Sequence, residues 1–189
     1  MLRVAREVGA AVLPVDVRLS PVEQHALLDR ARPTVVIDAE GTRRVKGVAI
    51  DPEIALVIAT SGTSGHPRLA ELTMAALEAA ITASASVIGA RLKDRWLSCL
   101  PLAHIGGLLV VYRHLLLGAP ITFRRRLSPA VVAATADARF TAMVPTQLVR
   151  LLNAEAVLSH FRTVIVGGSG MNTGLAIRAA SAGVRAVHT

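Results

Sequence analysis

The chain has 189 residues, of which 52% are hydrophobic and 3% aromatic, and it carries a formal net charge of +8. That length fits one domain and supplies enough aliphatic side chain for a core, while so few aromatic rings exclude stacking on bases as the main activity. Only Lys46 and Lys93 among the basic residues are lysine; the arginine bias is read as composition rather than as a binding device, the run Arg124 to Arg126 as a solvated loop, and no nucleic-acid partner is expected.

Cys99 is the only cysteine, which excludes an intrachain disulfide and a multi-cysteine zinc site. Its apolar surroundings, WLSCLP, predict a buried, inert thiol, in keeping with a reducing cytoplasm. The first ten residues lack the apolar core of a signal peptide. No apolar stretch reaches the ~18–20 residues of a membrane span, and no membrane partner is expected.

In chain order, AAVLPV (Ala10 to Val15) predicts a short strand. SPVEQHALLDRA then opens a helix, with Ser20 as N-cap, Pro21 at the first helical position and Glu23 three residues past the cap. TVVID predicts a strand, GTRRVKG a polar connection, and the continuous apolar run IALVIA a strand covered on both faces. After the segment Thr60 to Arg68 come a strand, LAELT, and an Ala-rich helix from Met74 to about Gly89. Next come a strand, RWLSCL, a helix, GGLLVVYRHLLL, with Gly118 past its end, and a strand, APITF. A second Ser-Pro helix start, SPAVVAATADA, precedes a strand, FTAMV, and a helix, PTQLVRLLN. The last elements are a strand, RTVIV, running into glycines, a helix capped by Asn172, and a strand, VRAVHT. This alternation predicts an α/β fold of largely parallel sheets covered by helices. Ligands of such sheets bind at the carboxyl ends of the strands, where TSGTSG, PLAHIGG, VPTQ and GGSG each follow an apolar strand.

TSGTSGHPR, Thr60 to Arg68, has the chemistry of a polyphosphate cradle. Gly62 and Gly65 permit close backbone approach. Thr60, Ser61, Thr63 and Ser64 supply hydroxyl donors, and Arg68 supplies a planar cation. It is neither a Walker A loop nor a dinucleotide fingerprint. On residue types alone an ordinary surface loop remains an alternative.

The stretch closely resembles the phosphate-binding signature of the adenylate-forming superfamily, T-S-G-T-T-G-x-P-K, with Ser64 in place of Thr and Arg68 in place of Lys. PLAHIGGL, Pro101 to Leu108, is similar to a family segment whose His lines the acyl pocket, which implies that role, and a catalytic contact with the acid, for His104. VIVGGSGM is similar to the segment whose backbone lies beside adenine, which implies Gly167, Gly168 and Ser169 there. LLVVYRHLLLGAPITF and FTAMVPTQLVRLLN resemble the o-succinylbenzoate–CoA ligases of menaquinone synthesis in particular. The resemblance spans essentially the whole chain. It implies an acid–thiol ligase that joins 2-succinylbenzoate to CoA through an acyl-adenylate, with ATP, Mg²⁺ and CoA. Arg113 and Gln147 are candidate substrate contacts, Arg113 for a carboxylate; no metal ligand is named. Another acyl- or aryl-CoA synthetase, or a non-catalytic nucleotide-binding remnant, stays open. The family continues past the equivalent of Thr189 with Y-G-x-T-E and a C-terminal domain bearing a catalytic Lys. Residues 1–189 are therefore expected to be a truncated N-terminal domain, inactive alone and prone to self-association, homo-oligomers included.

Overall fold

The computed structural model describes residues 1–60 and 68–189. They fall into two compact units, Met1–Ala76 and Leu77–Thr189.

In the first unit, α1 (Leu2–Glu7) precedes α2 (Pro21–Ala31), β1 (Val35–Asp38), β2 (Gly41–Arg44), β3 (Ile54–Thr60) and β4 (Arg68–Thr73). The capping box forms as its sequence requires: Glu23 N donates to Ser20 Oγ at 3.3 Å, and Ser20 N donates to Glu23 Oε2 at 2.7 Å. Two expectations are corrected here. Ala10 to Val15 is not a strand; within it only Val12 bonds to β3, through Ala55 O at 3.1 Å and Val57 N at 2.9 Å. Pro14 lacks an N–H to extend such a ladder. GTRR in turn is not a plain connection but the second strand of a hairpin with β1, paired from Val35↔Arg44 to Asp38↔Gly41. All four of its residues are exposed, so it carries no apolar alternation to announce it. IALVIA is buried at Leu56, Val57 and Ile58, as expected, yet pairs antiparallel with β4.

In the second unit, α3 (Met74–Ile88) leads into β5 (Trp96–Ser98), α4 (Ile105–Leu117), β6 (Ile121–Phe123), α5 (Pro129–Ala133), β7 (Phe140–Met143), α6 (Pro145–Asn153), β8 (Thr163–Val166), α7 (Thr173–Ser181) and β9 (Ala186–His188). The five strands form one parallel sheet in the order β6-β5-β7-β8-β9. From β5 the chain moves one way to β6, then crosses back over β5 and proceeds the other way. Right-handed crossovers then place α4 on one face and α5, α6 and α7 on the other. The cores agree. Trp96, Phe140 and Ala142 pack with Ile88 and Val110, and Leu97, Met143, Val164 and Val166 pack with Val132, Leu148, Leu151, Leu175 and Ala179. Neighbours along each strand thus alternate between two buried faces, which is why these strands read as unbroken apolar runs.

A half-buried histidine makes the fold's stability depend on pH. His160 Nε2 is buried without a hydrogen-bond partner, its ring lies 4.0 Å from that of Phe161, and burial lowers its pKa below the ordinary 6.5. The unfolded chain therefore takes this proton more readily than the folded one. Stability should be level above the unfolded value and fall as pH drops through it toward the folded value. Urea midpoints between pH 5 and 8 check this: His160→Gln should flatten the acid limb.

Candidate functional site

The carboxyl edge of the five-stranded sheet gathers the segments that follow β5, β7 and β8. Its topological switch point lies between β5 and β7, whose outgoing chains part to opposite faces; a cleft opens there in open α/β sheets. His104 is the N-cap of α4 on the β5 side. Its backbone N–H donates to Pro101 O at 3.2 Å, and its carbonyl accepts from Gly107 and Leu108 at 3.1 Å each. The imidazole is exposed and makes no capping bond.

The first turn of α4 lies unusually close to the chain that precedes it. A Cβ on Gly107 would sit 2.4 Å from Pro101 O, a backbone atom that cannot swing aside. Gly107→Ala should therefore shift α4 or the Pro101 turn and cost about 1–3 kcal/mol, read as a drop in thermal midpoint by circular dichroism.

On the β7 side, Gln147 Oε1 accepts from Val144 N at 3.0 Å. This closes the N-terminus of α6, with Pro145 at the first helical position. Gln147 is half-buried. Gly167, Gly168 and Ser169 form the turn after β8. Gly167 N donates to Met143 O at 3.1 Å, Gly168 adopts φ 84°, and Ser169 O accepts from His188 Nε2 at 3.2 Å. A cavity of about 580 Å³ lies between the first turns of α6 and α7, lined by Pro145, Thr146, Gly170, Asn172, Gly174 and Arg178, among others.

Arg113 lies nine residues beyond His104, about 13 Å further along α4. It is 4% exposed. Its guanidinium lies 4.6 Å from the Trp96 ring centroid and donates to Ser84 Oγ at 2.6 Å, while Nε has no partner. No carboxylate pairs with it among the described residues. Burial pulls its pKa down to about 10, so it remains a cation at neutral pH. With Trp96, Leu117 and Ala119 it lines a second cavity, of about 610 Å³. Sequence reasoning missed Ser84 and Trp96 as its neighbours; Ser84 sits in an Ala-rich helix that carries no signal.

In the first unit, Thr60 and Arg68 form the last paired register of the β3–β4 hairpin. Thr60 Oγ1 donates to Arg68 O at 3.2 Å, and both residues are exposed. The candidates Ser61, Gly62, Thr63, Ser64 and Gly65 lie outside the described residues. Cys99 is buried, and burial pushes its thiol up to about 11, which makes it a poor nucleophile. No group of three or more His, Cys, Asp or Glu side chains suited to a metal occurs among the described residues. Mg²⁺ is ordinarily held by one or two carboxylates together with substrate phosphates, and no chemical step is assigned to that ion.

Residues 44–189 match the AMP-binding enzyme family. A probable 2-succinylbenzoate–CoA ligase from Mycobacterium tuberculosis strain H37Rv is 34% identical over 191 residues, covering 95% of this chain and 49% of that protein. The chain thus spans about half the length of this curated relative. Among solved structures, a variant of Escherichia coli MenE with bound OSB-AMS superposes with a TM-score of 0.81 at 26% identity, over 99% of this chain and 45% of that one. A malonyl-CoA ligase with methylmalonyl-CoA and AMP bound reaches a TM-score of 0.84 at 23% identity, over 99% of this chain and 47% of that one. The second likeness shows the fold alone.

Proposed function

The chain belongs to the AMP-binding enzyme family, and on that premise we propose that it serves an ATP-dependent acid–thiol ligase whose acid is 2-succinylbenzoate. The observation that carries this reading is the 34% identity sustained over 95% of the chain to a probable ligase of that acid. In the first step a carboxylate oxygen of the acid attacks the α-phosphorus of ATP. The bond from that phosphorus to the bridging oxygen breaks, and pyrophosphate leaves. In the second step the sulfur of CoA attacks the acyl carbon, the acyl–oxygen bond breaks, and AMP leaves.

The first step brings two anions together, so positioning and charge neutralisation dominate it. TSGTSGHPR, Thr60 to Arg68, is assigned to the β- and γ-phosphates through hydroxyls, backbone N–H groups and the Arg68 guanidinium. Gly167, Gly168 and Ser169 are assigned to the nucleotide base. His104, exposed at the carboxyl edge, is assigned to the reacting carboxylate, and Gln147 to the opposite lip. Arg113 takes the acid's second carboxylate: a buried cation with no carboxylate partner among the described residues is the complement of a dicarboxylic acid. A cytoplasmic setting suits a chain with one buried thiol, and no helix among the described residues is long and apolar enough to cross a membrane.

Pyrophosphate exchange into ATP, assayed on the full-length protein with a panel of acids, tests the assignment. Exchange should appear with 2-succinylbenzoate and not with benzoate or a fatty acid. The malonyl-CoA ligase likeness supports one second reading, a short dicarboxylic acid, and exchange with malonate alone would establish that instead.

A further inference from the structure

The opposite, amino edge of the parallel sheet carries a row of charges, and its Arg91, Leu92 and Lys93 border the same cavity as Arg113. Arg95, Arg139, Arg162 and Arg185 each stand immediately before a strand, β5, β7, β8 and β9 in turn. Those four strands are adjacent in the sheet, so the arginines form a row with a spacing of about 4.8 Å, close to 15 Å in all. Backbone bonds fix the row: Arg139 N donates to Arg95 O at 2.8 Å, and Arg162 N donates to Arg139 O at 2.7 Å.

The turn between α3 and β5 lies along this row and adds Arg91 and Lys93, both exposed. It is tied there by Arg162 Nη1, which donates to Gly89 O at 3.1 Å and meets Asp94 Oδ2 at 3.3 Å. Arg185 Nη2 donates to Val87 O at 3.2 Å.

Two carboxylates pair with the row, Asp137 with Arg95 at 2.6 Å and Asp94 with Arg162. Arg139 and Arg185 spend single donors on the carbonyls of His160 and Val87. A carbonyl bond leaves their charge uncompensated and most of their five donors free. Among the cations stand two exposed aliphatic side chains, Leu92 at 62% and Val87 at 65%.

We propose that this amino edge docks on an anionic phospholipid bilayer, with Arg91, Lys93, Arg139 and Arg185 against the headgroups and Leu92 and Val87 inserted between them. Charge complementarity names an anionic partner, and the aliphatic pair selects among anionic partners. A leucine among cations gains nothing against a phosphodiester backbone but gains burial at a lipid interface. The edge offers no exposed aromatic ring for a base and no helix aimed into a groove. The sequence, read for membrane spans, leads to no membrane partner; a peripheral surface leaves no such trace, because its cations are scattered along the chain and meet only at the sheet edge.

Sedimentation of the purified protein with phosphatidylglycerol vesicles tests the proposal, with phosphatidylcholine vesicles as reference. The protein should sediment with the first and not the second, and salt should release it. Arg139→Gln with Arg185→Gln should weaken partitioning about fivefold for each charge removed. Leu92→Ser should weaken it up to about tenfold. Arg125→Gln with Arg126→Gln, in the exposed run after β6 at the other edge, should change nothing. Circular dichroism confirms folding; if the paired edge variant does not fold, Lys93→Gln replaces it, with a fivefold loss expected. Failure to sediment with phosphatidylglycerol at low salt overturns the proposal. So does loss of binding in the Arg125/Arg126 variant alone, or displacement by a short DNA duplex with no effect of Leu92→Ser. None of these readouts depends on ligase activity, so the proposed reaction stands or falls separately.

Discussion

Trp96→Ala is expected to be the most damaging single substitution in the second unit, lowering stability by about 3–5 kcal/mol. Trp96 is 1% exposed and opens β5 at the centre of the α4-side core. Its ring stacks on Phe140 with centroids 4.9 Å apart and planes 20° apart, and the Arg113 guanidinium lies 4.6 Å from its centroid. Alanine would leave a cavity and strip a buried cation of its aromatic neighbour at once. The second loss has its own signature. In a double-mutant cycle with Arg113→Met, the tryptophan and arginine should couple by about 0.5–2 kcal/mol. Urea unfolding supplies all four corners of the cycle. A loss below about 1 kcal/mol for Trp96→Ala would contradict the packing described here. Trp96→Phe keeps a ring and should lose markedly less.

Most of the second unit is legible in the sequence because its signals are local. Ser128 with Pro129, and Asn172, each mark a helix start with a side chain that bonds its own first turn, as Val131 N and Leu175 N show. Gly118, at φ 69°, marks an end. The strand order is not local. Nothing in RWLSCL says that β7 rather than β6 continues the sheet on its far side, so the switch point beside His104 emerges only from pairing. The first unit is read less well for a related reason. Strand β2, GTRR, is held by backbone bonds to β1 while all its side chains face solvent, so pairing without burial leaves no apolar period. The failed strand at Ala10 to Val15 is the reverse case, an apolar period with a single paired residue. The candidate site divides the same way. His104, Gln147 and the Gly167 turn follow strands directly, so reading the strands places them at the carboxyl edge. The burial of Arg113 depends on Trp96 and Ser84, 17 and 29 residues away in sequence, and has no local mark. The amino-edge arginines are each visible before a strand, but their row is a property of the sheet.

Arg113→Met should separate a functional cation from a structural one, because the two roles predict opposite results. A charge taken out of water with no carboxylate beside it is a cost to the fold, and its pKa is pulled down to about 10 by that burial. Since burial holds the folded value below that of a free guanidinium, folding disfavours the charged form at every lower pH, and stability should rise only as pH climbs past the folded value. Methionine fills a similar volume without the charge, so the thermal midpoint should hold or rise. If Arg113 is there for the acid, the same change should remove one charged hydrogen-bonding partner, worth roughly 1.5–3 kcal/mol. That is about a 10- to 150-fold fall in kcat/KM for 2-succinylbenzoate, carried mostly by KM, while the KM for ATP is unchanged. Arg113→Lys keeps the charge but loses the planar fork and should fall between the two. A protein that melts well below the parent yet handles the acid normally would make Arg113 a packing residue against Trp96, and the second carboxylate would then have to be met elsewhere.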